Sequence, residues 1–173
     1  DTTVAYLTDL GHQKIGFVGE LLTMGQLEDF KKTLKQYKVP FCGDWCYIVD
    51  KRFEEIGYEA AESFACQNNR PTAVVCAYDE VALAMIYRLK KLGISVPEDL
   101  SVIGKNDIPF AAYSAEPLTT INPNYQIQCK VCVDLLLNRI YGGEDAPKRI
   151  AVEHELVVRE TTAQYKEKKN GND

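Results

Sequence analysis

The chain has 173 residues, 46% of them hydrophobic and 26% charged, the profile of one globular domain large enough to bury a core without staples. Twenty Lys and Arg against 25 Asp and Glu leave a formal net charge of -5, which argues against DNA binding by this domain itself, because phosphate affinity comes from clustered cations. No apolar run is long enough to span a membrane, and six scattered cysteines with only two histidines make neither a metal site nor a disulfide framework.

In chain order, a helical pattern near 2–10 precedes a first β-rich run at 14–19. A helix near 24–38 leads to a second run at 45–50. A helix near 54–68 leads to a third at 72–78, and one near 79–92 to a fourth at 100–105. The runs are short, rich in Val and Ile and almost continuously apolar, as expected of parallel strands covered by helices on both faces. The order predicts an α/β fold with a doubly wound, mostly parallel sheet. Asp79 is placed as a helix cap with Glu80 in the first turn, and Gly93 ends that helix. Residues 106–116 read as a loop and 117–121 as a short strand. Asn122-Pro123 reads as a cap followed by proline in the first helical position. The helix that follows carries Ile127, Val131, Leu135, Leu136 and Ile140 and stops at Gly142-Gly143. Residues 149–160 read as a last, longer strand, and 164–173 as a frayed tail.

Ligands of open parallel sheets bind beyond the carboxyl ends of the strands. Here those ends are Glu20, Asp50 to Phe53, Tyr78-Asp79 and Lys105 to Asp107, a polar and aromatic set suited to a small polar molecule. Helix capping by Asp79 and loop fixing by Asp107 are the plainer alternatives. No Ser stands in a nucleophile elbow, no histidine motif holds a metal, and Gly16 and Gly19 are too few for a dinucleotide loop. His12 follows a helix end and is expected to bond local backbone. No catalytic residue, metal or cofactor is assigned. A phospho-acceptor role for Asp50 with Lys105 lacks the acidic pair it would need. Reduced cysteines point to the cytoplasm. The start at Asp1, already inside a helical pattern, gives the chain the look of an excised piece.

Five segments resemble the lactose-repressor/galactose-repressor family of transcription regulators. They are Tyr6 through Phe17 (YLTDLGHQKIGF), Arg70-Pro71-Thr72-Ala73 through Tyr78-Asp79-Glu80-Val81-Ala82, Gly93 through Gly104 (GISVPEDLSVIG), Pro117 through Ile121 (PLTTI), and Val158 through Thr162 (VRETT). The resemblance implies the C-terminal lobe of a two-lobed, periplasmic-binding-protein-like (type I) sensor, whose effector binds between lobes and alters operator affinity. It divides the chain into that lobe at 1–121, a crossover helix of the other lobe at 122–143, and a returning strand at 144–163. It further implies a headpiece that alone contacts operator DNA, a homodimer, and no membrane. A solute-binding protein of a sugar-type transporter shares the fold and is the alternative.

The same resemblance assigns effector contacts to Gln26, Arg52, Phe53, Tyr78, Asp79 and Asn106, and a dimer surface to Leu83, Phe110 and Tyr113. Several positions depart from the family pattern. Gln26 stands where an Arg is usual, Arg52 (with Phe53 beside it) where a stacking aromatic is usual, Tyr78 for the Asn of an Asn-Asp pair, and Asn106 for an Asp, with Lys105 in place of an aromatic. Losing the carboxylate at 106 and the guanidinium at 26 weakens a neutral sugar held in the usual way. Arg52 and Lys105 instead favour a carboxylate or phosphate, as on a sugar phosphate, with a place on the solvated rim as the plainer alternative. The apolar face of the 123–141 helix is expected to lack cover within its own chain.

Overall fold

A computed structural model describes residues 2–142 and 149–167, in which six strands form one sheet in the order β2-β1-β3-β4-β5-β6. The strands are β1 (Ile15–Glu20), β2 (Cys46–Val49), β3 (Ala73–Cys76), β4 (Ser101–Lys105), β5 (Thr119–Asn122) and β6 (Glu155–Val157). The first five are parallel; β6 returns antiparallel to β5, with Ile121 opposite Leu156. The helices are α1 (Thr2–Asp9), α2 (Met24–Gln36), α3 (Glu54–Ala65), α4 (Asp79–Lys91), α5 (Pro109–Tyr113) and α6 (Tyr125–Ile140).

Alternation along the strands sends side chains to two cores, which makes the sheet doubly wound. Val18, Val74, Cys76 and Val102 pack with Ile56, Phe64, Met85 and Leu89 of α3 and α4. Ile15, Phe17, Ala73 and Ile103 pack with Val4 and Leu7 of α1 and Leu27, Phe30 and Leu34 of α2 on the opposite face. Each large aliphatic or aromatic group withdrawn from water in this way contributes about 1.5–3 kcal/mol. Gly57 lets α3 and α4 approach, since a Cβ there would run into the Val81 carbonyl oxygen. At the end of α4, Gly93 takes a φ of +75°, and the Ile94 amide donates to Leu89 O at 3.0 Å to close the last turn. Arg88, Lys90 and Lys91 lie in that turn, favourably placed on the helix dipole.

The local reading needs five corrections. Asp79 does not cap α4: Tyr78 holds that position, and the Asp79 carboxylate turns inward. The expected loop 106–116 contains α5, which Pro109 opens at its first turn. Asn122-Pro123 does not start α6. The Asn122 side chain accepts the Asn124 amide at 2.7 Å, and Asn124 in the left-handed region (φ +57°) forms the boundary. The last strand is three residues long, because β5 offers only a short partner. Beyond it, residues 159–163 bond instead to the starts of β4 and β5. The Thr161 hydroxyl donates to Val102 O at 2.7 Å, and the Thr119 amide donates back to that hydroxyl oxygen at 2.9 Å. Finally, Tyr165 is anchored rather than frayed, donating its amide to Leu10 O at 2.8 Å. Gly143, residues 144–148 of the expected return segment and 168–173 of the expected tail lie outside the described residues.

No residue of α6 is buried; Ile127, Leu136 and Ile140 are each more than half exposed. Among the described residues no helix is long and apolar enough to cross a membrane.

Candidate functional site

The carboxyl ends of β1, β2 and β3 bring four of the singled-out side chains into one cluster. Glu20 ends β1 with its side chain 2% exposed. One carboxylate oxygen accepts the Tyr78 hydroxyl at 3.2 Å, and the other lies 3.0 Å from Arg52 Nε. The Arg52 guanidinium lies over the Phe53 ring, 4.5 Å from its centre, and Phe53 packs at a tilt on Tyr78 with ring centres 5.8 Å apart. Burial and the Glu20 carboxylate both raise the Tyr78 pKa, so the phenol keeps its proton and stays a donor.

Phe53 reaches this position from a φ of +52°, a region costly for any residue with a Cβ. Strain of this kind persists only where surrounding contacts hold it, and here the Arg52 and Tyr78 contacts do so. Asn106 and Asp107 also have positive φ, at 112° and 50°, and their side chains tolerate such turns better than most.

Asp79 is the member that departs most from the expected set. It is fully buried, with Oδ1 accepting the Thr120 hydroxyl at 2.5 Å and Oδ2 accepting the Ile108 amide at 2.9 Å. Gly104 makes room for it, since a Cβ there would collide with Asp79 Oδ1. Burial raises its pKa, while these two donors work in the opposite direction. With both oxygens occupied and no surface exposed, Asp79 ties β5 to the loop that follows β4 and offers nothing to a ligand in this conformation.

Gln26 and Lys105 meet elsewhere, lining a groove of about 580 Å³ between α1 and α2. Phe17, Val75 and Ile121 contribute apolar lining; Thr2, Thr3, Asp29, Lys32 and His154 are among its polar groups. Lys105 is half-buried, and burial lowers its pKa. Among the described residues it has no hydrogen-bonding or ion-pair partner. Asn106, next in the chain, accepts the Tyr125 hydroxyl at 3.0 Å, and so joins the end of β4 to the start of α6. Asp107 is held by Arg159 Nη2 at 2.7 Å and by Asn122 Nδ2 at 3.0 Å.

Sequence reasoning missed the contributions of Thr2, Thr3 and His154, which come from the two ends of the chain and carry no motif. It also left Glu20 without its role as the anchor of Arg52, a pairing that only the sheet order creates. No group of three or more His, Cys, Asp or Glu side chains among the described residues could hold a metal ion.

Leu83, Phe110 and Tyr113 line a second groove, of about 710 Å³, between α4 and α5, with Ile86 and Tyr87. Phe110 and Tyr113 are 76% and 84% exposed, a large apolar surface for five residues of helix.

A family model described as a periplasmic binding protein-like domain matches residues 4–162. The HTH-type transcriptional repressor PurR of Vibrio vulnificus (strain CMCP6) is 36% identical over 161 residues, covering 90% of this chain and 48% of that repressor. The chain thus spans about half the length of the curated relatives it matches. A transcriptional regulator LacI from Bacillus cereus subsp. cytotoxis NVH 391-98 superposes with a TM-score of 0.86 at 25% identity, covering 95% of this chain and 60% of its own. The complex of the transcriptional regulator CelR with cellobiose superposes with a TM-score of 0.80 at 25% identity, covering 90% of this chain and 49% of its own.

Proposed function

Because the chain belongs to the periplasmic binding protein-like domain family, as an effector-binding domain of the lactose-repressor/galactose-repressor type, we propose that it is the effector-sensing part of a DNA-binding transcriptional repressor. The reading is of a sensor and not an enzyme, acting in the cytoplasm. The observation that carries it is the polar and aromatic set at the carboxyl ends of the strands, with Arg52, Phe53 and Tyr78 gathered on Glu20 and Asn106 following β4. A stacking ring, two hydrogen-bonding groups and a guanidinium stand there without any nucleophile–base pair. The cellobiose bound by CelR supports a small polar effector of the sugar class.

In this reading α6 belongs to a second lobe, which would cover its apolar face and close over the strand ends. Effector binding then shifts the relative orientation of the lobes. Operator contact falls to a segment other than this acidic domain. The apolar groove of Leu83, Phe110 and Tyr113 serves a homodimer, whose axis carries the lobe movement to paired headpieces.

A thermal-shift screen of sugars, nucleobases and their phosphates against this chain, followed by amide chemical-shift mapping, tests the reading. A hit that perturbs Arg52, Phe53, Tyr78 and Asn106 is expected. Hits that leave these residues and the neighbouring Gln26 and Lys105 all unperturbed, or chemical turnover of a bound compound, would overturn it.

A further inference from the structure

We propose that Lys105 selects the effector, and that the effector carries a carboxylate or phosphate seated in the groove between α1 and α2. The inference rests on the sensor reading and deepens it by naming the ligand's charge. The cations near the strand ends and in the groove differ in what they have left to offer: Lys32, also on the lining, is paired with Asp29. Arg52 is matched by the buried carboxylate of Glu20 at 3.0 Å, so its charge is already balanced within the chain. Lys105 is half-buried against the apolar lining of the same groove as Gln26, with no anionic partner among the described residues.

A partly desolvated ammonium without a counter-charge is unfavourable unless something neutralises it. Burial lowers its pKa, the direction expected of a cation awaiting a partner. The other charged lining groups do not supply one. Asp29 is paired with Lys32 at 3.0 Å, and His154 carries no negative charge. Neighbouring Asn106 has an amide where a carboxylate would repel an anion, and its oxygen is occupied by the Tyr125 hydroxyl. Thr2, Thr3 and Gln26 add hydroxyl and amide donors around the same space. An anionic oxygen placed there would gain charge-assisted bonds, stronger than the neutral bonds a plain sugar could make.

The test titrates this chain with glucose, gluconate and glucose 6-phosphate, followed by amide chemical shifts at Gln26, Lys105 and Asn106 and by the side-chain carbon titration of Lys105. At least one anionic probe should bind about tenfold more tightly than glucose, the ratio expected when one neutral hydrogen bond becomes charge-assisted. The gluconate and phosphate arms show which anion is preferred. Binding should raise the Lys105 pKa. Lys105→Met and Lys105→Gln should each remove the preference, whereas Lys14→Met, which deletes an exposed cation bonded to Asn69 near the start of β1, should keep it. The fold of each variant is checked from the same spectra. Equal affinity for all three probes overturns the proposal, and so does a preference that survives both Lys105 variants or an absence of shifts with both anions. Glucose perturbing the strand-end set as strongly as the anions would leave the sensor reading standing while removing this one.

Discussion

His12 shows how a single polar residue can set the acid tolerance of the fold. It is 3% exposed, its Nε2 donates to Ala163 O at 3.0 Å, and its Nδ1 faces the Thr72 hydroxyl at 2.9 Å. A carbonyl can only accept, so the neutral tautomer protonated at Nε2 fits the site. Burial holds the imidazole pKa below its ordinary value despite the Ala163 bond. Between the folded and unfolded values the unfolded chain binds more protons, so stability is full at neutral pH and falls as the pH drops below about 6.5. Urea unfolding at pH 7.5 and pH 5.5 should show this loss, and His12→Gln should flatten the slope. An unchanged slope would assign the acid sensitivity to other groups. His12 could be expected from the sequence to bond locally, but its partner lies 151 positions away, and only the return of 161–165 beside β4 supplies it. Asp79 taught the opposite lesson: an acidic residue before a helix looks like a cap, and its inward turn depends on the space left by Gly104, which no local pattern reveals.

At the scale of elements, strand and helix order was legible because the first four strands are short, almost continuously apolar runs and the longer helices repeat their apolar positions at helical spacing. The short pieces were not legible. Five residues of α5 are too few to show a period, and the alternation of 149–160 continues past the point where β5 provides a partner. The α3–α4 contact turns on Gly57. Gly57→Ala should force the helices apart against the Val81 and Met85 backbone and destabilise the domain by about 1–3 kcal/mol, the usual cost of overfilling a packed contact. A shift in the urea midpoint at unchanged m-value would measure it. If the substitution were silent, α3 and α4 would be freer to slide than their packing indicates.

At the scale of the whole molecule, apolar surface lies open between α4 and α5 and along α6 among the described residues. The first was partly legible: aromatic residues in an irregular segment marked Phe110 and Tyr113, though not the helix that presents them. If it forms the homodimer, sedimentation should give a mass near twice 19.5 kDa, and Phe110→Ser with Tyr113→Ser should return the protein to a single copy. Dimerisation that persists in the double variant would move the interface to α6. The candidate site was legible only as a set of strand ends; which of its charges are already matched became visible only when Glu20 and Arg52 were placed side by side.

The bond from Tyr125 to Asn106 gives α6 a second role. Its first turn rests on the residue that follows Lys105, and just before it Asn122 and Asn124 reach Asp107 and the Glu153 carbonyl. Any tilt of that helix therefore tugs on the rim of the groove, and any guest that displaces the rim nudges the helix. Tyr125→Phe removes one of these three polar links while leaving the ring in place, and faster amide exchange in the first turn of α6 would measure how much of its footing that hydroxyl supplies.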